Sequence, residues 1–164
     1  MTPTIFIADD HPILIKGLKD ILVEKKMNVI GTANDGQSAL NFIIKEKPNI
    51  AILDVEMPNL TGIEIADECK KNNISTKIIL ITLHKEIDLY LKSKKLNIYG
   101  YLLKEFALQE IEICIDSVKN GSPYFSKQVK NHIGFTEEND NILKELTLTE
   151  RRILKLIAKH KTKK

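Results

Sequence analysis

The chain has little cysteine, scattered histidine and no long hydrophobic run. Cys69 and Cys114 stand far apart, and neither belongs to a CxxC pair. They therefore offer no recognisable metal or redox spacing, and both read as buried thiols of helices. The four histidines show no ligand spacing among themselves. No apolar stretch approaches the roughly 18 residues that a membrane span needs. The start, "MTPTIFIADD", lacks the basic opening and long apolar core of a secretory signal. A cytoplasmic location is expected. Internal repeats and low-complexity tracts are absent as well.

What is present is an ordinary globular composition, 43% hydrophobic and 29% charged over 164 residues. That length allows one full domain plus a fragment of another. The net charge of +3 is unevenly spread. Residues 1–120 hold 15 Lys against 17 Asp and Glu, whereas residues 121–164 hold 10 Lys and Arg against 5 acids. Arg151 to Lys164 carries seven positive charges and no acid. This asymmetry suggests a basic module attached to a neutral one, the alternative being a solvated helix face with a lysine-rich end.

Strand-like and helix-like segments alternate. "TIFIA" (4–8) reads as a buried strand, followed by helical spacing at Leu14, Leu18, Ile21 and Leu22, with Pro12 suited to a first helical turn. "NVIGTA" is a second strand, and "GQSALNFIIKEK" a helix that groups Leu40, Ile43 and Ile44. "NIAILD" is a third strand, "GIEIADECKKNN" a helix and "KIILIT" a fourth strand. "EIDLYLKSKKLN" is a weaker helix and "IYGYLLK" a fifth strand. "ALQEIEICIDSVKNG" is a helix with Leu108, Ile111, Ile115 and Val118 in register. The strands are continuous apolar runs, which predicts an α/β fold with a parallel sheet covered on both faces. Residues 121–142 read as a linker with one short helix. A further helix begins at "LTLTERRILKLIAKH", where Thr147 and Glu150 have capping-box spacing.

In such a sheet, chemistry collects at the carboxyl ends of the strands. Strand one ends at Asp9-Asp10, strand three at Asp54 and strand four at Thr82, and Lys104 follows strand five. Three carboxylates, a hydroxyl and an ammonium thus converge on one edge. Two carboxylates at about 4 Å repel by roughly 4 kcal/mol at an effective dielectric of about 20. Such a cluster either raises its pKa values or binds a cation. Mg²⁺ fits, as a hard ion that keeps waters for an incoming phosphoryl oxygen. Thr82 and Lys104 are of the right types to meet the added charge.

"ADDHP", "LDVEMPNLTG", "ITLH" and "GYLLKE" resemble the receiver domain of bacterial two-component response regulators. "DDHP", "GYLLKE" and the later "YFS" are similar to its NarL/FixJ branch. The resemblance covers about residues 1–125. It implies a five-stranded flavodoxin-like sheet of order 2-1-3-4-5, with a receiver domain over 1–120. Asp54 would accept a phosphoryl group from a sensor histidine kinase or a small phosphodonor. Asp10, Asp54 and the backbone carbonyl of Glu56 would ligate Mg²⁺, with Asp9 acting through water. Thr82 and Lys104 would contact the phosphoryl oxygens. Tyr101 would follow Thr82 inward and alter the face made by "EIDLYLKSKKLN", "IYGYLLK" and "ALQEIEICIDSVKNG". Pro58 and Gly62 would shape the loop after Asp54. Glu56 and His84 would flank the phosphoryl group and tune its hydrolysis. The receiver would promote only its own phosphorylation and dephosphorylation, and would not be an enzyme in the ordinary sense. The branch also implies a homodimer on phosphorylation.

"LTLTERRILKLIA" resembles the opening of the LuxR-type helix-turn-helix module, with His160 where that pattern usually has Gly. Residues 143–164 are accordingly expected to be the truncated start of a DNA-binding domain that regulates transcription, and this piece alone is not expected to bind DNA. The alternative is a stand-alone receiver that signals through protein contacts. A third reading, a phosphotransferase or phosphatase with Asp54 as nucleophile, lacks the usual second acid, since Glu56 stands two places on.

Overall fold

The computed structural model describes residues 2–83, 91–93, 95–96 and 98–130. His84, residues 86–90 of the weaker helix, residues 131–142 of the linker and the expected helix over 143–164, with Thr147 and Glu150, lie outside these. The described strands are β1 (Thr4–Ala8), β2 (Asn28–Ala33), β3 (Ile50–Asp54), β4 (Lys77–Thr82), β5 (Gly100–Leu103) and β6 (Tyr124–Phe125). The helices are α1 (Pro12–Glu24), α2 (Gly36–Glu46), α3 (Gly62–Lys71) and α4 (Ala107–Lys119), the last entered through one 3-10 turn at Lys104–Phe106. Residues 91–93 and 95 are also helical.

All pairings are parallel and the order is β2-β1-β3-β4-β5-β6. The expected order 2-1-3-4-5 is present, with one strand more than expected. β6 falls at residues read as linker. Tyr124 N–H donates to the Tyr99 carbonyl and Ser126 N–H to the Tyr101 carbonyl, each at 2.8 Å. Ser126 is fully buried, and its hydroxyl donates to Glu110 at 2.9 Å.

Side chains alternate along each strand, so one sequence feeds two cores. Ile5, Ile7, Ile50, Ile52, Ile79, Ile81 and Leu102 pack with Leu18 and Leu22 of α1 and with Ile111, Cys114, Ile115 and Val118 of α4. On the opposite face Phe6 stacks on Phe42 of α2 at 4.4 Å between ring centroids. A Cβ at Gly31, beside this pair, would lie 2.5 Å from the Phe42 ring. Each buried Ile or Leu contributes about 1.5–3 kcal/mol over its exposed state. Both cysteines are buried, and desolvation lifts the Cys69 thiol to about 11 and the Cys114 thiol higher still.

Two expected core positions differ. Ile44 is 46% exposed and Leu108 is 44% exposed. In α2 the buried arc is Ala39, Leu40 and Ile43, and a 100° step past Ile43 carries Ile44 out of it. Leu108 covers Gly17 of α1, where an added Cβ would meet its side chain at 3.1 Å. It is a helix-to-helix spacer, not part of the sheet core.

Candidate functional site

Register sets the site. Ala8 pairs with Leu53, so Asp9 and Asp54 emerge at one level. Asp54 pairs with Ile81 and Thr82 with Leu103, which places Thr82 and Lys104 at the same edge. The loop after Asp54 is held on both sides. Gly62 N–H donates to the Val55 carbonyl at 3.0 Å, and Gly36 N–H to the Pro58 carbonyl at 2.9 Å. Asn59 takes the left-handed conformation, with φ 74°, which asparagine tolerates better than most residues. Asp35 caps α2 through Ser38, which pulls its pKa down, and also accepts from the Asn59 amide at 3.4 Å. Thr61 caps α3: its hydroxyl accepts from Glu64 N–H at 3.1 Å and donates to the Glu64 carboxylate at 3.2 Å.

Lys104 is the hub of the cluster. Its ammonium donates to Asp54 Oδ2 at 2.7 Å and to Asp9 Oδ1 at 3.4 Å. Asp9 and Asp54 are 1% and 2% exposed. Burial lifts the Asp54 carboxyl to about 6 and the Asp9 charge adds to this, while the Lys104 hydrogen bond opposes it. Burial works against the Lys104 charge, but Asp54 and Asp9 outweigh it and hold that ammonium above its ordinary range. Glu56 N–H donates to Asp54 Oδ1 at 3.2 Å; its own side chain is exposed.

A cleft of about 60 Å³ is lined by Asp10, His11, Asp54, Glu56, Thr82, Leu83 and Lys104. It has room for a hydrated ion or a phosphoryl group and not for a larger metabolite. The structure thus brings Asp9, Asp10, Asp54, Glu56, Thr82 and Lys104 to one place. Tyr101 is apart from the cleft, fully buried on β5.

The sequence reading passed over His11. Its Nδ1 lies 2.9 Å from Asp9 Oδ1, 2.9 Å from Asp10 Oδ1 and 3.0 Å from Lys104 Nζ. Its spacing from the other histidines said nothing; its adjacency to two aspartates in "DDH" was the usable signal.

One ligand atom from each of Asp9, Asp10, His11 and Asp54 lies within 4.8 Å of the others. Asp9 Oδ2 is buried and makes no hydrogen bond, although it lies 3.3 Å from Lys104 Nζ. The contact is an ion pair without hydrogen-bond alignment, so a carboxylate lone pair still faces the cluster. Hard carboxylate donors with an unmet lone pair fit a divalent cation.

Residues 5–116 match the family described as the response regulator receiver domain. The chain belongs to that family. DesR, a transcriptional regulatory protein of Bacillus subtilis, is 34% identical over 162 residues, spanning 98% of this chain and 77% of DesR. Among solved structures, the NarL signal receiver domain of Mycobacterium tuberculosis superposes with a TM-score of 0.67 at 30% identity, over 72% of this chain and 97% of that one. A LuxR-family DNA-binding response regulator from Staphylococcus aureus gives 0.66 at 28%, over 71% and 98%. The protein is therefore a receiver of the LuxR-type response regulators, a class in which phosphorylation controls transcription. Among the described residues no helix is long and apolar enough to cross a membrane.

Proposed function

We propose that Asp54 is the phosphoacceptor of this receiver and that a sensor histidine kinase is its donor. The observation that carries the reading is the buried Asp54 carboxylate at a strand tip, held by Lys104 at 2.7 Å among two further aspartates. An Asp54 oxygen attacks the phosphorus of a phosphohistidine; the P–N bond breaks, an acyl phosphate forms and the imidazole departs. Asp10 and Asp54, with Asp9 behind them and the Glu56 carbonyl alongside, would hold Mg²⁺. When bound, that ion neutralises the carboxylates and the phosphoryl oxygens together. Lys104 turns from the carboxylate to the new dianion, and the Thr82 hydroxyl donates to it. Glu56, on the rim of the cleft, meets the hydrolytic water, and exchanging it changes the dephosphorylation half-life. His84 is assigned the same part from its place in the sequence.

The output reading is transcriptional. DesR is named as a transcriptional regulator and the Staphylococcus aureus relative as DNA-binding. We extend that output, and a dimer formed on phosphorylation, to the protein of which residues 1–120 are the receiver and 143–164 the start of the helix-turn-helix. No turnover of an outside substrate is assigned to it.

The test is incubation with acetyl phosphate, followed by intact-mass measurement. One phosphoryl group should appear with Mg²⁺ and be absent after chelation. Labelling that is indifferent to Mg²⁺ would remove the cation from the account.

A further inference from the structure

We propose that the amino edge of the sheet, at the opposite end of β3 from Asp54, carries a second site, which binds a phosphate-bearing small molecule of nucleotide size. The proposal does not depend on the chemistry assigned to Asp54.

Three elements bring lysines to this edge. Lys47 caps the end of α2, Lys77 opens β4 and Lys119 closes α4. All three line an open cavity of about 410 Å³, and no carboxylate is among its described lining residues. Lysines near helix ends ordinarily offset the macrodipole, and α2 and α4 both end here. Each terminus is worth roughly half a negative charge, so two of them offset about one ammonium group and leave the rest. Lys77 serves that purpose: its ammonium donates to the Val118 carbonyl of α4 at 3.1 Å and stands 5.2 Å from the centre of the Tyr99 ring. Lys47 and Lys119 are exposed, and among the described residues neither side chain has an ion pair or hydrogen bond. Lys47 also holds φ 46° and ψ 60°, the left-handed region that glycine or asparagine usually fills at a helix end. Glycine would end α2 with less strain and would leave no cation at the cavity.

The rest of the lining is suited to an organic phosphate. Lysine meets phosphate as a point charge. Thr4 donates to Asn49 Oδ1 through its N–H at 2.8 Å and its hydroxyl at 3.0 Å. These bonds fix that atom as the oxygen, so the Asn49 NH₂ group remains a donor without a partner among the described residues. Pro3, Pro48 and Ile50 add an apolar wall beside the charges. Pro48 is buried and pinned, since its carbonyl accepts from the Thr76 hydroxyl at 2.7 Å. A bare phosphate would leave most of the cavity unfilled, whereas small organic ligands occupy sites of about 300–1,000 Å³. Charge on one side and an apolar wall on the other fit a phosphate joined to a ring.

The test is titration of the full chain with ADP, followed by amide NMR, with divalent ions chelated so that the Asp54 edge offers no metal. Saturable shifts are expected at Lys47, Asn49, Ser75, Lys77 and Lys119, and not at Asp54 or Lys104. The double variant Lys47→Gln/Lys119→Gln should raise the Kd by about tenfold or more at an unchanged urea midpoint, because both side chains are exposed and unpaired. Lys47→Arg/Lys119→Arg, which keeps the charges, should retain binding. Pyrophosphate and adenosine should each bind more weakly than ADP; pyrophosphate binding as tightly would overturn the organic part of the ligand. Shifts that do not saturate, shifts centred on Lys104 or on the lysines of 151–164, or a Kd unchanged in the Gln double variant would overturn the site.

Discussion

A carboxylate with 2% exposure ionises against its surroundings. For Asp54 the burial outweighs the help from Lys104, and the group reaches about 6 where 3.8 is ordinary. The folded chain therefore binds the Asp54 proton more tightly than the unfolded chain does. Its contribution to stability is full below about pH 4 and is lost as pH rises through about 6. At pH 7.5 the ionised group costs on the order of 1–3 kcal/mol. Asp54→Asn should accordingly be more stable than the wild type by about that amount in urea unfolding at pH 7.5, with the difference closing toward pH 4. A variant equally stable or weaker at pH 7.5 would show that the site carries no such burden.

Asp54 is placed by elements whose fit leaves little slack. A Cβ at Gly36, the first residue of α2, would lie 1.9 Å from the Leu60 carbonyl oxygen, in the loop that follows Asp54. Gly36→Ala should cost about 1–3 kcal/mol by overpacking against backbone and, because Gly36 N–H also anchors Pro58, should slow phosphorylation too. Thr61→Ala removes only the cap of α3 and should cost about 1 kcal/mol. Much of this frame was legible in the order of residues. β1 and β4 match the expected "TIFIA" and "KIILIT" because buried parallel strands read as unbroken apolar runs, and the half-exposed edge strand β2 matches "NVIGTA" as well. The site edge was legible for the same reason, since strand ends mark where Asp9, Asp54 and Thr82 emerge. β6 was not, because two residues carry no periodicity and only pairing with β5 defines them. The exposure of Ile44 and Leu108 was hidden too, since each sits one step outside an arc that only the neighbouring element delimits. The Thr61–Glu64 box was present as "TGIE" and was passed over in favour of Thr147–Glu150.

At the scale of the molecule, residues 1–129 form one compact unit, and β6 and its flanks belong to it. A chain ended at Ser122 loses the Tyr124 and Ser126 backbone bonds, the Ser126–Glu110 contact and the buried Val129 side chain. It should be about 2 kcal/mol or more less stable in urea than one ended at Lys130; equal stability would make β6 an ornament of the sheet. On the proposed function, the whole arrangement serves one event, the transfer of a phosphoryl group to Asp54. Reduction of the phosphorylated chain with borohydride converts an aspartyl phosphate to homoserine, and peptide mass mapping then locates it. Homoserine at position 54 and nowhere else is the expected result; homoserine at Asp9 or Asp10, or an unmodified Asp54 in a chain that carries the phosphate, would contradict it.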